Sequence, residues 1–347
     1  MSVAVFPARH IPGSSLSSNV SSHPFSPGHA RGYIDVIESF PMNEILHRHP
    51  ANPILTPDMI PGANAVFNSS VARFGKKYVG VFRVEKRQGF QSLRVAWSDD
   101  GITNWKFDPD EVLVPTEEPF ITYEEARYDP RITYIKADDR YYICHASENR
   151  YGCQISVAAT RDFKRFDKIA IAAEPTNRNM VLFPEKIAGL YVRLDRPFEY
   201  GNQGNIWISY SPDLVFWGKS ECIMTSRTFA WDQGKIGPGA PPIKTKEGWL
   251  IIYHGITPRV NAQIYKAGVA LLDLADPRKV IARAKDYLMA PRELYERVGD
   301  VPNVVFPTAA IDYPDTDELR IYYGGADTVF CLATAKISDL LHFVRTA

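Results

Sequence analysis

The sequence predicts an all-β chain arranged as a five-bladed β-propeller, and three observations predict it. A short turn motif recurs five times, and a ladder of aromatic strands runs in phase with it. The chain is also punctuated by 26 Pro and 22 Gly in 347 residues, too often for long helices.

The turn motif has the form Ser/Thr-x-Asp followed four or five residues later by an aromatic or apolar residue. It reads "SDDGITNW" at 98–105, "TRDFKRF" at 160–166 and "SPDLVFW" at 211–217, with looser copies "LADPRKV" at 274–280 and "ISDLLHF" at 337–343. Its aspartates, Asp100, Asp162, Asp213, Asp276 and Asp339, lie 62, 51, 63 and 63 residues apart. The aromatic ladder is "KKYVGVFRVE", "RYYICHASE", "GLYVRLDRP", "GWLIIYHG" and "ELRIYYGGAD". Each member is a β-branched and aromatic run bounded by Gly or charge, as strands are. Five units of strand and turn without helical period fit blades of small sheets around a channel, with a β-sandwich as the alternative. If the ladder strands are innermost, their ends bring Arg83, His145, Arg196, His254 and Asp327 to one mouth of the channel.

Composition bounds the function. With 40 Lys plus Arg against 40 Asp plus Glu the formal net charge is zero, which argues against a nucleic-acid surface. No run of 18 apolar residues and no signal-peptide pattern occurs, so the expectation is a cytoplasmic protein without a membrane partner. Cys144, Cys153, Cys222 and Cys331 show no metal-ligand spacing and are expected to be reduced thiols. Residues 1–31 are Ser-, Pro- and His-rich and read as a flexible arm that can pack on a neighbouring subunit of a homo-oligomer. Residues 32–347 read as one propeller domain. His10, His23 and His29 in the arm are too irregularly spaced for a metal site.

One stretch, "PTNRNMVLFPEKIAGLYVRLDRPF" at 175–198, concentrates Arg178, Lys186, Arg193 and Arg196 in this neutral chain. It belongs to a series that resembles glycoside hydrolase family 130, the propeller mannoside phosphorylases and related β-mannosidases. In order the series is "FNSSVARF", "FRVE", "YDPRIT", "NRNMVLFPEKI", "YVRLDRP", "KIGPGAPPIKTKEGWLIIYHG", "VPNVVFP" and "YYGGAD". The resemblance implies a general acid at Asp129, delivering its proton through a hydroxyl of the mannose. It implies phosphate ligands at Arg178, Asn179, Arg196, Lys235, His254 and Tyr265, and mannose contacts at Asn68, Ser69, Arg83 and Asp327. Lys186 and Arg193 are left as ordinary surface cations. Guanidinium groups suit bidentate contact with phosphate.

The implied reaction is phosphorolysis of a β-mannoside, with inorganic phosphate as co-substrate and neither a cofactor nor a metal. A hydrolase of the same fold would instead need a second carboxylate to activate water. A carbohydrate-binding propeller would need neither acid nor cradle. Tyr128, where some branches carry Glu, resembles the branches that act on β-1,4-mannosides. The acceptor and the linkage are not fixed by these motifs.

Overall fold

The computed structural model describes residues 45–199, 203–260 and 262–347. The expected arm at 1–31 lies outside the described residues. The described chain forms five antiparallel sheets of four or five strands, the five-bladed propeller that the repeats predict.

Blade I runs Ala63–Phe74, Lys77–Lys86, Gln91–Ser98 and Lys106–Glu111. Blade II runs Ala126–Ile135, Arg140–Asn149, Gly152–Thr160 and Asp167–Ile171. Blade III is Asn177–Leu182, Tyr191–Glu199, Ile206–Ser211 and Gly218–Met224. Blade IV is Ile236–Pro238, Trp249–Pro258, Gln263–Leu272 and Val280–Arg283. Blade V has Val305–Tyr313, Glu318–Gly325 and Val329–Lys336. Its outermost strand, His47–Arg48, comes from the start of the described chain and pairs with Ala333 and Thr334. The ring is thus closed by hydrogen bonds between distant parts of the sequence. Arg48 strengthens that closure with a bidentate contact, Nε to Glu296 Oε1 at 2.8 Å and Nη2 to Oε2 at 2.9 Å.

Two expectations need correction. The aromatic ladder supplies the second strand of each blade, not the innermost. The inner strands begin Ala63, Ala126, Asn177, Ile236 and Val305. Those of blades I, II and V touch one another across the channel. The aromatic strands are the most apolar because both their faces are covered by neighbouring blades, which reads like centrality in a sequence. The fifth turn motif, "ISDLLHF", is not a turn between strands but part of a helix, Ile337–Thr346, whose Leu340 and Val344 are buried against blades IV and V. Two four-residue helices, Phe120–Tyr123 and Leu294–Arg297, also occur.

The first three turn motifs hold for a local reason. The hydroxyl of Ser98, Thr160 or Ser211 accepts the N–H groups two and three residues on, and the aspartate then accepts the next two. Between blades lie the cores. Val79, Val95 and Ile143 fill the gap between I and II, Tyr142, Val157 and Leu182 that between II and III, and Val192, Ile208 and Trp249 that between III and IV. Removing the fully buried Trp249 side chain would cost about 3–5 kcal/mol.

Candidate active site

Three inner strands share a defect that builds the site. Their pairing with the second strand slips between Phe67 and Ser70, between Tyr128 and Arg131, and between Arg178 and Val181. Within each slip one residue turns left-handed: Asn68 at φ 43°, Asp129 at 51° and Asn179 at 64°. Asn and Asp tolerate this region better than other side chains, and a bulge re-aims the side chain it carries. All three line one cavity of about 480 Å³ at the channel mouth, together with Arg83, Tyr128, Arg178, Arg196, Tyr265 and Asp327. That volume lies within the range of small-molecule sites.

The register also shows why His145 does not join them. Arg83 and Arg196 pair with the residue just before each bulge, Phe67 and Arg178. The equivalent residue in blade II is Ala146, opposite Tyr128. His145 is one position out, and a one-residue slip puts a side chain on the other face of its sheet. It is buried beside Glu124, with Nε2 to Oε1 at 3.4 Å, and burial lowers its pKa.

One wall of the cavity carries the carboxyls. Arg83 Nη1 donates to Asp129 Oδ1 at 2.8 Å, and its guanidinium lies 4.1 Å from the Phe67 ring centre and 5.0 Å from that of Tyr128. Arg131, buried on the channel floor, donates from Nη1 to the Asp129 carbonyl and from Nε to the Gly239 carbonyl, both at 2.7 Å. It braces blade II against blade IV and holds the backbone of the bulge. Burial lowers its pKa to about 10, against the opposing pull of Asp129. Asp327 sits in a left-handed turn, where desolvation pushes its carboxyl up to about 7; Arg83 opposes that rise and Asp129 reinforces it.

Ser69 and Asn68 divide the work of the first bulge. The Ser69 hydroxyl donates to the Phe67 carbonyl at 2.8 Å and accepts the Arg83 N–H at 3.0 Å, fully buried, so it fixes the bulge from behind the cavity lining. Asn68 Oδ1 is buried without a protein partner and lines the cavity. A Cβ at Gly324 would stand 2.1 Å from that oxygen, so the first glycine of "YYGGAD" makes room for it.

The other wall carries cations. Arg178 and Arg196 are direct cross-strand partners, an arrangement of like charges that destabilises a bare sheet. Arg178 has Glu148 at 3.9 Å. Among the described residues, no carboxylate comes within ion-pair distance of Arg196 or Lys235. Arg196 Nη1 instead meets His254 Nε2 at 3.0 Å, with Asn179 Nδ2 at 3.5 Å. Burial, then Arg196, Arg131 and Lys235, depress the His254 pKa far below its usual value, so the ring is neutral and Nε2 accepts the Arg196 proton. Burial followed by the charge of Arg178 lowers Arg196 to about 10. Burial with Arg196 and Arg178 lowers Lys235 to about 8. The three cations surround one ring, Phe198, at 5.4, 4.9 and 5.7 Å for Arg196, Arg178 and Lys235. Tyr265 closes this side, its ring 6.2 Å from His254. Lys235 and His254 stand behind the lining side chains.

The two cations left as surface residues are both paired. Lys186 reaches Asp138 at 3.2 Å. Arg193 is buried, not solvated, and held by Asp195 at 2.9 Å. The lining also holds Gln91, Glu148 and Phe306, to which the motifs assign no role, and Tyr128, which they mark only for the linkage. Tyr128 donates its hydroxyl to Glu148 at 2.5 Å, and Phe306 lies 4.4 Å from His254. Their signal was available in part, since Glu148 ends a ladder strand and Phe306 stands in "VPNVVFP".

A propeller mouth with two aspartates beside Arg83 on one wall, and on the other a cation cluster in which only Arg178 has an acid partner among the described residues, is built to hold a polar ligand with an anionic part. The chain belongs to glycoside hydrolase family 130: the family profile described as beta-1,4-mannooligosaccharide phosphorylase matches residues 37–346. It is similar to the beta-1,4-mannooligosaccharide phosphorylase of Ruminococcus albus, 38% identical over 313 residues that cover 87% of this chain and 92% of that protein. It is likewise 38% identical over 266 residues to a beta-1,2-mannobiose phosphorylase of Listeria innocua, covering 74% of this chain and 71% of the other. The solved complex of Listeria innocua beta-1,2-mannobiose phosphorylase with beta-1,2-mannobiose superimposes with a TM-score of 0.78 at 29% identity. It covers 86% of this chain and 99% of that one.

Proposed function

We propose that this protein is an inverting β-mannoside phosphorylase that splits β-1,4-linked manno-oligosaccharides with inorganic phosphate, giving α-mannose 1-phosphate and a shortened acceptor. The observation that carries the reading is the pair Arg196 and Lys235, near one another with Arg178 and with no acid partner of their own among the described residues. Buried cations without counter-charge cost stability, and a phosphate dianion offsets that cost while forming charge-assisted hydrogen bonds.

In this reading phosphate lies against Arg178 and Arg196, with the Asn179 amide and the Tyr265 hydroxyl as further donors and Lys235 adding its charge from behind them. His254, neutral, orients Arg196. Mannose lies against Asn68, Arg83 and Asp327, with Ser69 fixing the backbone beneath. A phosphate oxygen attacks C1 from the face opposite the leaving group, the C1–O glycosidic bond breaks, and the leaving oxygen takes a proton that Asp129 supplies through a mannose hydroxyl. Holding the nucleophile in line against C1 removes most of the entropic part of the barrier. The second carboxylate of an inverting hydrolase is replaced by an anion that needs no activation.

The β-1,4 linkage is supported by the family profile, by the Ruminococcus relative aligned over 92% of its length, and by Tyr128 in the cavity wall. Incubation with β-1,4-mannobiose or β-1,2-mannobiose, with and without phosphate, tests both parts. Mannose 1-phosphate forming faster from the β-1,4 substrate, and only with phosphate, is the expected result. Free mannose at equal rates without phosphate contradicts phosphorolysis, and preference for the β-1,2 substrate contradicts the linkage.

A further inference from the structure

Beyond the cavity wall of blade II stands a pair of tyrosines that nothing in the site so far uses. Ala126 and Glu148 are cross-strand partners, and both line the cavity. The two chains continue outward past them to Tyr123, three residues before Ala126, and Tyr151, three residues after Glu148. Three residues of extended chain reach at most about 10 Å. The rings lie 5.9 Å apart at 49°, and Tyr151 is 56% exposed.

The backbone that carries this pair is held in place. Asn149, buried, donates from Nδ2 to the Tyr123 carbonyl at 3.0 Å and to Gln154 Oε1 at 3.1 Å, while its Oδ1 accepts the Tyr151 N–H at 2.8 Å. Phe120, buried, anchors the short helix that ends at Tyr123. The Tyr151 hairpin is pressed against the segment that leads to Arg178: a Cβ at Gly152 would lie 2.9 Å from Thr176 Cγ2. The Arg150 guanidinium carbon lies 5.5 Å from the Tyr151 ring centre, a donor beside an apolar face.

We infer that Tyr123 and Tyr151 form an aromatic platform for a sugar ring on the acceptor side, beyond the two rings that flank the bond being split. A pyranose presents a face of C–H groups with hydroxyls at its edge, and tyrosine offers an apolar face with a polar tip. Two χ angles per side chain keep the ordering cost low. An exposed ring on backbone held by the buried Asn149, three residues along the chain from the cavity lining at Glu148, meets what a sugar chain leaving the mouth requires. The platform rests on the proposed action on manno-oligosaccharides, and makes the enzyme favour chains longer than the disaccharide.

The test compares β-1,4-mannobiose with β-1,4-mannotetraose in the parent, Tyr151→Ala and Tyr151→Phe. Tyr151→Ala is expected to raise KM for the tetraose roughly five- to tenfold, the size of one aromatic stacking contact. KM for the biose, KM for phosphate and kcat stay unchanged, and Tyr151→Phe behaves as the parent on both. An equal shift for both substrates, or none, overturns the platform. So does a change in oligomeric state of Tyr151→Ala by size-exclusion chromatography accompanied by loss on both substrates, which would assign the surface to subunit contact. Release of free mannose without phosphate would contradict phosphorolysis alone, because the dependence on chain length is read equally well from hydrolysis.

Discussion

The two walls of the cavity treat their buried charges in opposite ways. On the wall of Arg83, Asp129 and Asp327, cation and carboxylate are matched, with Arg83 and Asp129 at 2.8 Å and Arg131 bracing the bulge below. On the wall of Arg178, Arg196 and Lys235, like faces like, and the nearest partner of Arg196 is a neutral imidazole. On the first wall Arg83 and Asp129 satisfy each other, while Asn68 Oδ1 is left for a ligand hydroxyl to donate to. In the proposed function an anion supplies what the second lacks. Burial comes first in both shifts, but the neighbours differ: Arg196 and Arg178 push Lys235 further down, to about 8, whereas Arg83 holds back the rise of Asp327 to about 7.

Substitutions separate the walls, and the largest effect is expected on the first. Asp129→Asn keeps an oxygen to accept the Arg83 N–H, so the bulge and fold stay, but no proton can be transferred; kcat should fall by about 10² to 10⁴ at every phosphate concentration. Steady-state kinetics together with a thermal melt check both halves of that statement. Arg196→Ala comes next: it removes charge-assisted hydrogen bonds to the nucleophile, and phosphate KM should rise by about 10- to 100-fold while mannoside KM changes little. A change in mannoside KM alone would break the division between the walls.

Smaller effects follow the titrations. Without an anion Lys235 loses its charge as pH rises through about 8, so phosphate KM of the parent should climb above that pH. In Lys235→Met the value should be higher but flatter, with the titration of phosphate itself common to both profiles. Asp327 binds its proton more tightly folded, at about 7, than unfolded, at 3.8, so its ionisation destabilises the free protein increasingly between those values. Asp327→Asn should therefore raise Tm relative to the parent by roughly 2–5 °C at pH 8, and by less at pH 5. A gain that shrank with rising pH would contradict the assigned direction.

The part of the fold that the sequence made legible is the part set by local chemistry. Ser98 with Asp100 and Ser211 with Asp213 satisfy specific N–H groups within a few residues, so the residue types recur wherever the turn does. The motif series singles out Asp129, Asn68 and Asn179, and these three line one cavity. What was not legible depends on pairing between strands. The bulges at Asn68, Asp129 and Asn179 exist because the second strand lacks a partner for them, and no local pattern announces a missing partner. His145 shows the consequence: aligned by its strand end it belonged at the mouth, but counted from the bulge it belongs between blades. Arg131 was in plain view beside Asp129, yet its span to Gly239 joins positions 108 residues apart.

The most direct test of the two-wall account is phosphate binding to the sugar-free protein, titrated by calorimetry in the parent, Asp129→Asn and Arg196→Ala. The account predicts saturable binding in the parent, nearly unchanged binding in Asp129→Asn, and a loss of about 10-fold or more in Arg196→Ala. Binding that survived in Arg196→Ala and failed in Asp129→Asn would contradict it.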